Sequence, residues 1–231
     1  MGERTTITVA DGSFSAYVAR PKAASAPAAV VIQEIFGVNQ VMRDITDGLA
    51  AHGYLAICPD LFWRIEPGID ITDHSEAEWK KAFELFNAFD VDHGMKDVQA
   101  TITAIRKDPG CSGKVGAVGF CLGGLVAFLT ATRTDADASA SYYGVGIENR
   151  VAEAEKLVKP LLLHIAEEDQ FVPKTAQGVI LQALKDHPQV EVYTYPGRDH
   201  AFAREGGEHY NEADAKLAGG RTLQFFQKHL G

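Results

Sequence analysis

The sequence is poor in cysteine, with only Cys58, Cys111 and Cys121 among its 231 residues. Three scattered cysteines cannot form the paired framework of a small disulfide-rich protein, and they lack the spacing of a cysteine metal site. A cysteine with a function here would act as a free thiol, which predicts a reducing compartment.

Basic residues and long apolar runs are also scarce. The chain has 22 Lys and Arg against 31 Asp and Glu, a formal net charge of −9. This balance excludes broad binding to nucleic acids or anionic membranes, because both need clustered basic side chains. No apolar run reaches membrane-spanning length, and no basic segment followed by an apolar core marks a secretory signal. We therefore expect a cytoplasmic protein.

The chain does contain a cysteine flanked by glycines. Residues 114–124 read Lys-Val-Gly-Ala-Val-Gly-Phe-Cys-Leu-Gly-Gly, a short apolar strand, a Gly-x-Cys-x-Gly pattern and the start of an apolar helix. This pattern is typical of a nucleophile elbow, with sulfur in place of the usual serine oxygen. The tight turn needs glycine at Gly119 and Gly123, and Cys121 would present its thiol at the apex. The positive end of the following helix favours a thiolate and a developing oxyanion.

A catalytic thiol needs a base, and the base needs an acid that orients it. An apolar strand predicted at 161–166 leads to Asp169, and the last predicted strand, at 190–195, leads to His200. The order Cys121, Asp169, His200 is that of α/β-hydrolases. Glu167 and Glu168 are alternatives to Asp169, which we prefer for its place before Phe-Val-Pro.

Strand and helix patterns alternate along the chain. Strands are predicted at 5–9, 14–20, 28–33, 54–58, 138–143, 161–166 and 190–195, and helices at 41–52, 75–86, 91–106, 122–131, 174–186 and 211–230. The pattern predicts one α/β-hydrolase domain over residues 1–231, with a mostly parallel sheet, an antiparallel N-terminal start and helices on both faces. An irregular insertion at about 61–90 would border the active site.

The strand at 28–33 leads directly into Glu34 and Ile35. In this fold, the turn after that strand and the residue after the nucleophile donate the oxyanion-hole N–H groups. Ile35 and Leu122 are therefore the predicted donors. Glu34 is unexpected, because a carboxylate at the end of a buried strand needs a partner. It is either part of a structural ion pair or a second titratable partner for the thiol.

Short segments spread over nearly the whole chain match one known family. They are residues 33–39 (Gln-Glu-Ile-Phe-Gly-Val-Asn), 58–61 (Cys-Pro-Asp-Leu), 88–90 (Ala-Phe-Asp), 113–116, 119–124, 142–146 (Tyr-Tyr-Gly-Val-Gly), Asp169 with 171–173 (Phe-Val-Pro), and His200 with 202–204 (Phe-Ala-Arg). In this combination the chain resembles the dienelactone hydrolase family.

The resemblance implies a Cys-His-Asp hydrolase without a cofactor or metal. Such an enzyme opens an unsaturated lactone through an acyl-thioester, the carboxymethylenebutenolidase reaction, in chlorinated-aromatic or related catabolism. The family residue that matches Glu34 contacts the resting thiol and takes its proton when substrate binds. Arg204 matches a carboxylate-binding arginine. We assign further substrate contacts to Trp79, Phe83, Tyr143 and Phe36.

Three positions depart from the family's carboxylate site. Trp79 replaces an arginine, Phe83 replaces a tyrosine and Ala201 replaces a serine, so three polar contacts would become apolar. The departures affect the identity of the substrate more than the reaction type. Arg64 is either a substitute cation or a solvated loop arginine.

Two other functions fit the sequence. A carboxylesterase or thioesterase would use the same triad on a less polar acyl group, held by Trp63, Trp79, Phe83 and Phe86. A non-catalytic binding protein could retain the hydrolase fold, although it would not need an intact cysteine, aspartate and histidine.

A metal site is conceivable at Asp90, Asp92 and His93, although the start of a helix favours acids in any case. For the whole chain we expect a monomer. It would act on a small-molecule ester or lactone, with no nucleic acid and no membrane as partner.

Overall fold

The computed structural model describes residues 2–231, which form two compact units. Unit 1 runs to Ala117, and unit 2 comprises Val118–Gly231. The boundary falls inside the strand Cys111–Phe120. The assignment of residues 1–231 to a single domain therefore stays a prediction.

Unit 1 holds most of that strand, here β5, and an antiparallel start. Its strands and helices are β1 (Glu3–Val9), β2 (Gly12–Ala19), β3 (Ala26–Ile32), β4 (Leu55–Pro59), α1 (Gln40–Ala51), α2 (Glu76–Ala88) and α3 (Val91–Arg106). β2 pairs antiparallel with both β1 and β4, and β4 pairs parallel with β3. The predicted antiparallel start is confirmed. Besides the β1–β2 hairpin, it includes the antiparallel pairing of β2 with β4.

Side-chain caps fix where the helices of unit 1 begin. Asn39 accepts the Met42 N–H at 3.2 Å at the start of α1. Asp90 accepts the His93 N–H at 2.9 Å at the start of α3. A side-chain oxygen at this position satisfies a backbone donor that has no partner inside the helix. Capping therefore accounts for Asp90, one of the acids considered as a metal ligand.

Unit 2 holds the end of β5 and a run of parallel strands. Its elements are β6 (Ala138–Tyr142), β7 (Leu161–Ala166), β8 (Val190–Tyr195), α4 (Leu122–Arg133), α5 (Lys174–Leu184), α6 (Glu212–Leu230) and two 3-10 helices, Ile147–Asn149 and Val151–Lys156. β7 pairs parallel with both β6 and β8. Helix α4 is buried from Leu122 to Ala131 because it is apolar on all sides.

A polar cluster lies in the core of unit 2. His164 on β7 is 1% exposed, and its ring nitrogens lie 2.7 Å from the Tyr195 hydroxyl and 3.0 Å from Thr222 Oγ1. Thr222 Oγ1 also lies 2.6 Å from the Tyr142 hydroxyl. Burial, with a smaller effect from Arg221, lowers the pKa of His164 to about 3, so its imidazole is neutral. The cluster joins three strands and α6 through satisfied hydrogen bonds.

The predicted α/β class is confirmed, with parallel pairs outnumbering antiparallel ones in the described pairings. Among the helices of residues 2–231, none has both the length and the apolar character that crossing a membrane requires.

Candidate active site

Cys121 lies at a sharp turn between β5 and α4, as the glycine pattern predicts. Its backbone has φ 57° and ψ −116°, a conformation that is unfavourable for a residue with a side chain by roughly 1–3 kcal/mol. The turn is held by its own backbone: the Cys121 N–H donates to the Tyr142 carbonyl at 3.1 Å, and the Cys121 carbonyl accepts the Gly124 N–H at 2.9 Å. The Leu122 N–H is among the first amides of α4, which lack partners within the helix.

Glycine is required at two positions of this turn for steric reasons. A Cβ at Gly119 would lie 1.9 Å from the Gly123 carbonyl oxygen, and a Cβ at Gly124 would lie 2.5 Å from the Tyr142 carbonyl oxygen. Both contacts are with backbone, which cannot move aside as a flexible side chain can. Of the two glycines predicted for the turn, these contacts support Gly119, and Gly124 is a further one; both allow α4 to begin directly against the end of β5.

Asp169 and His200 contact each other in the loops that follow β7 and β8. Asp169 Oδ2 lies 2.8 Å from His200 Nδ1, and Asp169 Oδ1 accepts the N–H groups of Phe171 at 2.8 Å and Val172 at 3.1 Å. Both residues are 4% exposed. Glu168, by contrast, is exposed and pairs with Lys174 at 3.0 Å. Among the neighbouring acids, Asp169 is therefore the one that contacts the imidazole.

The His200 imidazole also interacts with the thiol of Cys121. Burial alone would lower the pKa of His200, but Cys121 and Asp169 together raise it to about 10. This direction means that the imidazolium is favoured at neutral pH. Within residues 2–231, Nε2 forms no hydrogen bond with a nitrogen or oxygen atom. The three residues form one electrostatic unit in the order carboxylate, imidazole, thiol.

Aromatic rings surround the imidazole. Tyr143 and Phe171 both make edge-to-face contacts with His200, with ring centroids 5.0 and 4.9 Å away. Tyr143 is buried, whereas Phe171 is 36% exposed. Tyr143 and Ala201 have positive φ values of 38° and 61°. With Cys121, they are the described non-glycine residues with this backbone conformation, and all three lie in the loops around His200.

Arg204 lies in the turn that follows His200. It is 7% exposed, and its backbone N–H donates to the Ala201 carbonyl at 2.9 Å. A buried guanidinium is stable only where acceptors or negative charge compensate for lost hydration.

In unit 1, the turn after β3 carries the other predicted site residues. Glu34, Ile35 and Phe36 are all buried, at 2%, 5% and 2% exposure. Gln33 donates to the Glu34 carbonyl at 3.4 Å and accepts the Leu61 N–H at 3.0 Å. These bonds connect the turn to the segment after β4.

Gly37 also fixes the turn after β3. It has φ +78°, and a Cβ there would lie 2.0 Å from the Ile69 carbonyl oxygen. Gly37 forms an isolated bridge with Asp70 in the insertion. The insertion is therefore tied to the turn through backbone contacts that only glycine permits.

The two tryptophans of the insertion have different aromatic partners. Trp79 contacts Phe36, edge to face, at 5.2 Å and stacks with Phe83 at 5.5 Å. Phe83 is 41% exposed. Trp63 instead stacks on Phe14 at 5.7 Å, and its indole N–H donates to Asp97 at 2.8 Å. Trp63 is thus a packing residue, and the apolar surface near the turn consists of Phe36, Trp79 and Phe83.

Arg64 is a structural residue. Its guanidinium pairs with the buried Asp97 at 2.9 Å and with Asp11, and it lies over the Trp63 ring at 4.2 Å. The sequence predicts either a substitute cation for substrate or a solvated loop arginine at this position; the geometry shows neither, but an arginine paired with two carboxylates.

The model of the family described as "Dienelactone hydrolase family" matches residues 14–230. The chain belongs to the dienelactone hydrolase family. It is 53% identical over 225 residues to an Azospirillum brasilense protein with a provisional carboxymethylenebutenolidase name, a match covering 96% of each chain. It is 39% identical to a carboxymethylenebutenolidase of Pseudomonas putida, over 96% of this chain and 95% of that one.

A solved structure shows the same fold. A Klebsiella pneumoniae subsp. pneumoniae protein, provisionally described as a dienelactone hydrolase, superposes with a TM-score of 0.87 at 28% identity, covering 99% of both chains. Membership in this family makes the chain a hydrolase, and it confirms the predicted α/β-hydrolase fold.

Two features of unit 2 were not predicted from the sequence. Phe171 appears in the sequence only as part of the Phe-Val-Pro segment, and its contact with His200 depends on how the loop folds. Asp199 precedes His200 and accepts its backbone N–H at 2.6 Å, and nothing in its spacing distinguishes it from a surface acid. The adjacent Asp-His pair after the last strand is the one signal that could have drawn attention to it.

Proposed function

We propose that this chain hydrolyses an ester or lactone through a Cys121, His200 and Asp169 triad. The observation that carries the proposal is that a buried His200 interacts with both the Asp169 carboxylate and the Cys121 thiol, which lies at a strained elbow. Once the Cys121 thiol has lost its proton, the thiolate beside the His200 imidazolium is an activated nucleophile.

In the proposed first step, the Cys121 thiolate attacks the carbonyl carbon. The Leu122 N–H, and the Ile35 N–H by the rule for this fold, donate to the resulting oxyanion. The C–O bond to the leaving group breaks, the His200 imidazolium gives its proton to the departing oxygen, and an acyl-thioester remains. In a lactone, the departing oxygen stays attached to the acyl group.

In the second step, water completes the hydrolysis. Neutral His200 takes a proton from water, whose oxygen attacks the thioester carbonyl. The C–S bond then breaks, and the sulfur leaves as the thiolate beside the imidazolium. Asp169 keeps the Nδ1 proton directed toward itself in both steps.

The substrate we propose is an unsaturated lactone of the dienelactone type, because carboxymethylenebutenolidases are among the relatives. Arg204 would bind its carboxylate, since a guanidinium matches a carboxylate in geometry and charge. Phe36, Trp79, Phe83 and Tyr143 would contact the remainder.

The alternative is a carboxylesterase or thioesterase with the same triad. The stacked and partly exposed Trp79 and Phe83 favour it, because they offer apolar surface. Comparing kcat/KM for a carboxylated dienelactone with that for a neutral aryl ester separates the two. Arg204→Gln should raise KM for the carboxylated substrate alone, and a preference for the neutral ester would contradict the lactone assignment.

The triad is tested by Cys121→Ala, with Cys111→Ala as matched control. Cys121→Ala should abolish hydrolysis of p-nitrophenyl acetate, and acetylation of Cys121 should be visible by mass spectrometry of the unchanged chain during turnover. Cys111 is partly exposed on β5, so its replacement should leave the rate unchanged. Hydrolysis that persists in Cys121→Ala would refute the assigned nucleophile.

Glu34 is proposed to restrain the thiol at rest and to take its proton when substrate binds. Glu34→Gln should then alter the rate of Cys121 alkylation differently with and without a substrate analogue. Unchanged turnover and unchanged alkylation would contradict this role. A cytoplasmic location fits a free catalytic thiol and stays a prediction.

A further inference from the structure

The two loops that carry Asp169 and His200 are connected beyond the ends of their strands. The last register partners of β7 and β8 are Ala166 and Tyr195. After them, the Glu167 N–H donates to the Tyr195 carbonyl at 3.2 Å, and the Glu168 N–H donates to the Arg198 carbonyl at 2.8 Å. Backbone bonding of the parallel pair therefore continues into the loops.

Further along the loops, a side-chain oxygen replaces a backbone carbonyl as the hydrogen-bond acceptor. Gln170 lies two residues beyond Glu168 in the first loop. Its N–H donates to Oδ1 of Asp199 at 3.0 Å. The same oxygen accepts the N–H of His200 at 2.6 Å. One carboxylate oxygen thus joins the backbone beside Asp169 to the backbone of His200.

The second loop turns away from the strand direction before it reaches Asp199, because the Arg198 N–H donates to the Tyr195 carbonyl at 3.2 Å and Gly197 has φ 70°. The loop turns again at Ala201, which has φ 61°. With Asp199 as acceptor, His200 Nδ1 still reaches Asp169 Oδ2 at 2.8 Å.

We propose that Asp199 is a positioning residue, which fixes the separation of the loops carrying Asp169 and His200. The proposal rests on the proposed function, in which His200 serves Cys121. Asp199 acts through two backbone amides, so its oxygen matters and its charge does not. Consistent with this, the groups that raise the pKa of His200 are Cys121 and Asp169.

The second oxygen of Asp199 provides a control. Oδ2 lies 3.7 Å from His209 Nε2 and takes no part in the bridge. His209→Gln removes this ion pair and leaves Oδ1 in place. Asp186→Ala is a second control, because Asp186 is a solvent-exposed aspartate of the same unit with 89% side-chain exposure.

The test compares Asp199→Asn with Asp199→Ala in the full chain. Asparagine retains an oxygen for both amides, whereas alanine does not. Asp199→Ala should lower kcat for p-nitrophenyl acetate on the order of 10- to 100-fold with KM changed less than about threefold, because misplacement of catalytic groups affects the transition state most. Asp199→Asn and both controls should keep kcat within about threefold.

A second measurement, the pH dependence of Cys121 alkylation by iodoacetamide, needs no turnover. Asp199→Ala should move the midpoint to higher pH, because a loosened Asp169–His200 contact stabilises the imidazolium less. Asp199→Asn should not move it. If hydrolysis persists in Cys121→Ala, the proposed function is refuted. The pH profile of Cys121 alkylation does not depend on turnover, so it still tests whether Asp199 positions the two loops.

Two outcomes would overturn the proposal. Asp199→Ala could fold, as judged by thermal unfolding, and keep both kcat and the alkylation midpoint, or Asp199→Asn could be as impaired as Asp199→Ala. Should Asp199→Ala not fold, Asp199→Ser carries the same expectation, because its hydroxyl is too short to reach both amides.

Discussion

Replacing Asp169 with asparagine tests the acid of the proposed triad with little change in shape. The new side chain keeps an oxygen for the N–H groups of Phe171 and Val172, which lie 2.8 and 3.1 Å from Asp169 Oδ1. Its NH2 group then faces His200 Nδ1, in the place of an oxygen at 2.8 Å. Because an amide NH2 cannot accept the Nδ1 proton, the imidazole is driven to carry its proton on Nε2.

The expected magnitude follows from these contacts. A hydrogen bond to a charged group contributes about 1.5–3 kcal/mol, and both residues are too buried for water to replace it. The wrong tautomer adds to this loss, and the equivalent change in a serine protease lowers kcat by about 10⁴-fold. We expect kcat to fall on the order of 10³- to 10⁴-fold, equivalent to about 4–5.5 kcal/mol.

Steady-state hydrolysis of p-nitrophenyl acetate measures this effect, and thermal unfolding confirms that the variant is folded. Glu168→Gln is the matched control, because Glu168 is exposed and pairs with Lys174. It should leave kcat within about twofold. The reasoning is refuted if Asp169→Asn keeps more than about a tenth of kcat, or if Glu168→Gln loses as much.

Three further predictions concern stability. The His200 imidazolium, with its pKa raised from 6.5 to about 10, stabilises the fold fully below pH 6.5 and loses this effect as pH rises to about 10. Urea unfolding should therefore show the stability advantage over His200→Gln shrinking across that range, and a constant difference would contradict it. Gly119→Ala should lower the free energy of unfolding by about 3 kcal/mol or more, because the added Cβ would lie 1.9 Å from a backbone oxygen. Gly178→Ala in α5, where the position has open space around it, should raise the free energy of unfolding by up to about 1 kcal/mol. Equal effects of the two substitutions would refute the steric argument. Arg64→Leu should lower the free energy of unfolding by about 2 kcal/mol, since Asp97 is buried while Arg64 is partly exposed, and should not change the ratio of kcat/KM for carboxylated and neutral esters.

The elbow is the most predictable part of this molecule. The glycine before Cys121 reflects a short-range steric contact within a few residues, so a local pattern is enough to reveal it. Elements with clear periodicity are equally accessible: α3 and the strands β7 and β8 begin and end where the sequence predicts. By contrast, β1 begins two residues earlier than predicted, because the polar residues at its start pair with β2 through backbone alone.

Loop conformation limits what the sequence can reveal. Three acids follow β7, and only the folded loop shows that Asp169 contacts His200 while Glu168 faces Lys174. The contacts of Asp199 are harder still to predict, because its side chain accepts two backbone N–H groups of the loops. Such contacts produce no periodic pattern in the sequence. The two 3-10 helices between residues 147 and 156 also lack periodicity, and were not predicted.

The buried polar cluster of unit 2 has a consequence for folding accuracy. Two of the strands it joins are rich in interchangeable small or aliphatic residues, with alternating Ala and Ser on β6 and Leu161, Leu162 and Leu163 in succession on β7. If β7 slipped by two residues against its neighbours, leucines would still fill both faces, and hydrophobic burial would distinguish the two alignments poorly. His164, however, would lose Thr222 and Tyr195 and leave polar atoms buried without partners, at about 1–3 kcal/mol each. The cluster therefore makes the native alignment of the strands energetically distinct from its nearest competitor.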